Sequence, residues 1–170
     1  MRPVSSASDL VDDFDLSTVT QSAATFDPDE LANLSTKVLH QYSFADVEER
    51  LTALGIRCNE SVWSAISGNL EKLEEARFWL RIVDGDLPDT PDLNEEDWAF
   101  VKAAPQHLPE GAFDSDTWST WTNALKAATG RKGKQLFMPL RIALTGQRHG
   151  PDLGQLLPLI GRERTLARLA

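Results

Sequence analysis

The sequence predicts an all-α protein built from short helices in two small subdomains, and three observations predict it. Apolar residues recur at three- and four-residue spacing along nearly the whole chain of 170 residues. Capping residues and Pro or Gly stops fall where those periodic stretches begin and end. Only Arg57-Cys58 and Leu136-Phe137 look even briefly strand-like, and no alternating run of useful length occurs.

Taken in order, Asp27-Pro28-Asp29-Glu30 is a helix start, with a capping Asp, Pro at the first helical position and acids at the positive dipole end. Leu31, Leu34, Val38 and Leu39 follow at helical spacing. Ser43 caps the next helix, with Asp46 in the place of the usual capping-box Glu. Its face is Phe44, Val47, Leu51 and Leu54, and Gly55 ends it. Residues 59–84 read as two helices meeting near Gly68-Asn69. The first carries Val62, Trp63 and Ile66, and the second carries Leu70, Leu73, Phe78, Trp79, Leu80 and Ile82.

The acidic, Pro-containing stretch 84–92 is the best internal boundary. It divides the chain into 1–42, a first helical subdomain at 43–92 and a second at 93–170. Leu93 or Asn94 opens a helix through Trp98, Phe100 and Val101 that stops before Pro105. Asp114 or Ser115 caps one from 116 to about 128, striped by Trp118, Trp121, Ala124 and Leu125. After the turn 130–134 comes an element with Leu136, Phe137, Leu140, Ile142 and Leu144, ended by Gly146. Residues 151–160 and 161–169 make the closing helices.

Composition excludes several classes of protein. Apolar residues at 41% and charged residues at 25% are ordinary for a globular domain. Cys58 is the sole cysteine, which forbids an intrachain disulfide and a thiolate metal cluster and reads as a small apolar filler. No apolar run approaches the roughly 20 residues of a membrane span, and Met1-Arg2-Pro3-Val4-Ser5 lacks a signal-peptide h-region, so a cytoplasmic protein is expected. There is no Gly-rich phosphate loop, no metal-ligand cluster and no nucleophile elbow. His40, His107 and His149 are scattered. No self-sufficient active site, metal site or cofactor site is therefore expected in this chain.

Charge is distributed unevenly. Residues 1–116 carry 24 acidic and 8 basic side chains, a balance of −16, whereas residues 117–170 carry 2 acidic and 9 basic, a balance of +7. Phosphate attraction depends on potential within a Debye length of about 8–10 Å, so the last third alone points to nucleic acid. The alternative is a basic tail that neutralises its acidic neighbour. Lys126, Arg131, Lys132 and Lys134 surround two glycines that let a backbone approach phosphate. Arg141 lies seven residues after Lys134, so both can project from one helical face. Its planar guanidinium suits a base edge or a bidentate phosphate clamp. Arg148, Arg162, Arg164 and Arg168 extend the positive surface. Trp118, Trp121 and Phe137 interleave, as core or as stacking platforms for unpaired bases.

The stretch from Gly130 to Gly146, containing Phe137-Met138-Pro139-Leu140-Arg141, resembles the C-terminal signature of bacterial glutamyl-tRNA synthetases. His149-Gly150-Pro151-Asp152-Leu153 and Leu157-Pro158-Leu159-Ile160-Gly161-Arg162 continue it in register. Phe14-Asp15-Leu16 and Ser22-Ala23-Ala24-Thr25-Phe26-Asp27 are similar to the stretch after that family's ATP-site lysine loop. The resemblance implies a class I ligase whose N-terminal half activates glutamate with ATP and whose helical C-terminal half reads the tRNA anticodon. Neither catalytic signature motif of the family is present. The chain is then a piece of a longer enzyme, which is the preferred reading, or a free-standing truncated relative that binds tRNA or protein.

By the same resemblance Arg141 occupies the position that contacts anticodon bases, and Leu153 the position that gives a base an apolar wall. Arg131, Lys132 and Lys134 are expected to attract phosphate. Members restricted to glutamate tRNA carry an Arg where this chain has Asn69, so a relaxed enzyme acting on tRNA(Glu) and also on tRNA(Gln) is expected. Asn69 reads equally as a cap between two helices. The remaining implied partner is the N-terminal catalytic half; the protein is expected to act as a monomer.

Overall fold

Asp27 opens the first helix by accepting a hydrogen bond from the Asp29 backbone N–H, with Pro28 at the first helical position. The computed structural model describes residues 8, 11, 14–18, 27–87 and 92–170. The expected similarity at 22–26 and the Pro-containing centre of the 84–92 connector lie outside the described residues.

Helix α1 (Pro28–Leu39) is followed by α2 (Phe44–Ala53), where Ser43 and Asp46 form the expected capping box. Helix α3 (Glu60–Ile66) starts at Asn59, whose side chain accepts from the Val62 N–H. A 3₁₀ turn, Ser67–Asn69, ends it. The second helix of this pair does not begin at Leu70. Leu70 is extended, Leu73–Glu75 form another 3₁₀ turn, and α4 runs from Ala76 to Asp84. The Glu75 carboxylate accepts from the Glu71 N–H at 2.8 Å, which holds this intervening turn. Asn69 is therefore not the cap of α4: it is the exposed last residue of the first 3₁₀ turn.

Asn94 caps α5 (Glu95–Ala103), and a 3₁₀ turn over Ala104–His107 carries Pro105. Helix α6 (Thr117–Thr129) starts under Asp114, whose carboxylate accepts from the Thr117 N–H and hydroxyl. Helix α7 (Lys134–Thr145) contains Pro139, and α8 (Leu153–Leu169) is broken at Gly161. Gly161 sits at φ 79°, a conformation that β-carbon sterics deny most residues. Two helical halves thus meet at Gly161, as the sequence indicates. No strand occurs among the described residues.

The core is continuous across the proposed 92/93 boundary: Leu51, Ile66, Leu70 and Ile82 join Trp121, Leu140, Leu156 and Ile160 in one buried cluster. Helix α8 packs on α3 and α4 as well as on α6 and α7. Buried indoles find carbonyl partners, Trp63 Nε1 at Tyr42 and Trp121 Nε1 at Ala104, both at 3.0 Å. Cys58 is half-buried, and that burial pushes its thiol pKa up, away from a reactive thiolate.

Candidate nucleic-acid interface

Helix α7 has a wet face and a dry face. Leu136, Pro139, Leu140, Ala143 and Leu144 are buried, while Lys134 and Phe137 are exposed and Arg141 is half-buried. Positions 134, 137 and 141 fall on one side of a helix. Phe137 keeps 43% of its surface open, and its ring lies 6.2 Å from Trp118 of α6. Trp118 also reaches the start of α8, where a β-carbon on Gly154 would lie 3.9 Å from its Cδ1. Phe137 and the half-buried Trp118 therefore form a partly open aromatic patch, with Phe137 on the same side of α7 as Lys134 and Arg141.

Arg141 donates from Nη2 to the Pro151 carbonyl at 3.0 Å. Its Nη1 is buried and has no hydrogen-bond partner among the described residues. Burial lowers its pKa, and nearby Asp152 opposes that shift; an arginine stays charged regardless. A desolvated cationic donor with an unused N–H is costly unless a partner arrives.

The other expected cations divide sharply. Lys132 and Lys134 are exposed and have no ion-pair partner among the described residues. Arg131, also expected to attract phosphate, does not share that freedom. Its guanidinium pairs with Asp97 at 2.5 Å and Glu96 at 2.8 Å, and lies 4.5 Å from the Phe100 ring centre. Pro139 has no N–H to offer the Gln135 carbonyl four residues earlier, and Arg131 Nη1 donates to that carbonyl instead at 3.1 Å. Arg131 thus ties α7 to α5.

Leu153, expected to give a base an apolar wall, is 2% exposed and belongs to the core. Phe137 and Trp118, read from sequence as core or platform, supply the open apolar surface instead. Arg162 and Arg168 are likewise structural. Arg162 donates to the Pro109 carbonyl and lies over Phe113, while Arg168 serves the carbonyls of Leu144, Ile82 and Gly85. Arg148 pairs with Asp92 at the surface. Asn69 is exposed, and its side chain has no hydrogen bond to the described residues. Among the described residues no group of His, Cys, Asp and Glu is placed to hold a metal, and no helix is long and apolar enough to cross a membrane.

Residues 88–170 match the family model described as an anticodon binding domain, the class of domain that this half of the chain resembles. A wider match reaches particular proteins. Over 162 residues the chain is 50% identical to Glutamate--tRNA ligase 1 of Brucella ovis, covering 94% of this chain and 35% of that protein. Glutamate--tRNA ligase 2 of Brucella melitensis gives the same figures. The chain is similar to the C-terminal part of these glutamate–tRNA ligases and spans about a third of their length.

Two solved structures share the fold, each at 18% identity and covering 92% of this chain. One is a glutamate tRNA ligase from Elizabethkingia meningosepticum, described as a complex with its amino acid, with a TM-score of 0.72 over 34% of that chain. The other is a glutamate-tRNA synthetase from Elizabethkingia anophelis, with a TM-score of 0.70 over 33% of that chain.

Proposed function

We propose that this chain reads the anticodon loop of tRNA(Glu) for a glutamate–tRNA ligase that joins glutamate to tRNA with ATP. The observation that carries the reading is Arg141, whose Nη1 has no hydrogen-bond partner among the described residues, one helical turn from the exposed Phe137 within a matched anticodon binding domain. Arg141 supplies the base-edge or phosphate contact, and Lys132 and Lys134 supply salt-sensitive phosphate attraction. Phe137 and Trp118 offer a stacking surface. In this reading glutamate and ATP belong to a part of the enzyme that this chain does not span.

The polar, unpartnered Asn69 favours a relaxed enzyme that also accepts tRNA(Gln), since no cation stands there to select one anticodon. The exposed apolar residues Phe14, Leu16 and Leu31 support packing of that end against the catalytic half. The complete protein is expected to work as a cytoplasmic monomer.

The test is charging of tRNA(Glu) and tRNA(Gln) transcripts by the complete enzyme carrying Arg141→Ala. Discrimination against anticodon-substituted tRNA should fall by about 1–3 kcal/mol. Unchanged discrimination would remove Arg141 from the interface.

A further inference from the structure

Arg141 is held from one side by the Pro151 carbonyl, so the placement of residue 151 decides where the free Nη1 points. The residue before it, Gly150, has φ 138° and lies directly under the six-membered ring of Trp79. A β-carbon at Gly150 would fall 2.1 Å from Trp79 Cη2 and 2.6 Å from Cζ2, distances no side chain tolerates. The indole therefore rests on bare backbone. Trp79 belongs to α4, in the other proposed subdomain; it is 7% exposed and braced edge-on by Phe78 at 5.3 Å.

A second tie fixes α4 against the same end of α7. Arg168 donates to Ile82 and Gly85 at the end of α4 at 2.6 and 2.8 Å, and to Leu144 of α7 at 2.7 Å. Thr145 then carries the tie along α7, its hydroxyl donating to the Arg141 carbonyl at 2.7 Å. With α4 anchored in this way, Trp79 becomes a fixed stop against which the 146–152 turn is set.

We propose that Trp79 is a positioning residue for Arg141: its indole, seated on Gly150, fixes the Pro151 carbonyl that orients the guanidinium toward the anticodon loop. The proposal rests on the reading of Arg141 given above. It makes anticodon discrimination depend on a buried side chain in a different subdomain. Coupling through such packed contacts commonly reaches severalfold in affinity.

The experiment is a double-mutant cycle in the complete natural protein, using Trp79→Leu, Arg141→Ala and the pair. The quantity read is the ratio of Kd values for an anticodon-substituted and an unsubstituted tRNA(Glu) transcript, with the folded fraction set by thermal unfolding. Trp79→Leu should lower that ratio by about threefold to tenfold, and should add nothing once Arg141 is Ala. A merely structural role would weaken both transcripts alike and leave the ratio intact, which would overturn the proposal. Additive effects in the pair would overturn it too. No effect of Arg141→Ala alone would instead sink the reading on which it rests. Where Trp79→Leu fails to fold, Trp79→Phe keeps an aromatic ring against Phe78 while withdrawing the edge that touches Gly150, and is read the same way.

Discussion

Of the neighbouring cations Arg131 and Lys132, only the second remains free in solvent, and their variants should separate accordingly. Arg131→Ala removes charge-assisted hydrogen bonds and a ring contact from a side chain only 15% exposed. It should lower stability by about 2 kcal/mol, read as a shift in the denaturation midpoint, with the salt dependence of tRNA binding little altered. Lys132→Ala and Lys134→Ala should do the reverse. Each should reduce the slope of log affinity against log salt by about 0.7–0.9 and leave the unfolding midpoint in place. A midpoint loss at Lys132 equal to that at Arg131 would contradict this assignment. Sequence showed the cations but could not sort them, because their partners come from afar: Glu96 and Asp97 for Arg131, and Ile82 and Gly85 for Arg168. Leu153 was illegible for a related reason, since a leucine opening a helix looks the same whether its side chain meets a base or the core.

Helix boundaries were the most legible level of structure wherever a local hydrogen bond sets them. Asp27, Ser43, Asn59, Asn94 and Asp114 all act within three residues of themselves, and such bonds depend on little beyond the sequence. The start of α4 was missed because Leu70 and Leu73 mimic helical spacing while serving as buried plugs on a non-helical turn. Asp114 also yields a pH prediction. Hydrogen bonds from Thr117 and Asp116 hold its carboxyl below its ordinary value. Its contribution is thus complete above about pH 4 and is lost as pH falls through the lower folded-state value. The stability gap between the native protein and Asp114→Ala should be widest near neutrality and narrow steadily in acid. A gap that stays constant down to about pH 2 would show that the carboxylate form does not matter.

The helices of the two proposed subdomains share one core, and the last helix packs on elements from both. Arg168 closes that arrangement with three carbonyl contacts drawn from α4, its C-terminal turn and α7. Its replacement by Ala leaves those acceptors unmet in a half-buried place and should cost roughly 2–4 kcal/mol. Because the core is continuous, thermal unfolding should remain one transition shifted to lower temperature, rather than splitting into two. Two resolved transitions would show that the parts on either side of residue 92 unfold separately. At this scale the sequence revealed the all-α class and the charge asymmetry. The shared core stayed hidden, since an acidic, Pro-containing connector looks like a domain boundary whether or not helices pack across it.

The measurement that bears most directly on the whole account is nuclease and chemical footprinting of a tRNA(Glu) transcript bound by the complete protein, with and without Arg141→Ala. Anticodon-loop nucleotides should be protected, and that protection should weaken selectively in the variant while protection elsewhere persists. An anticodon loop as reactive in the complex as in free tRNA would contradict it.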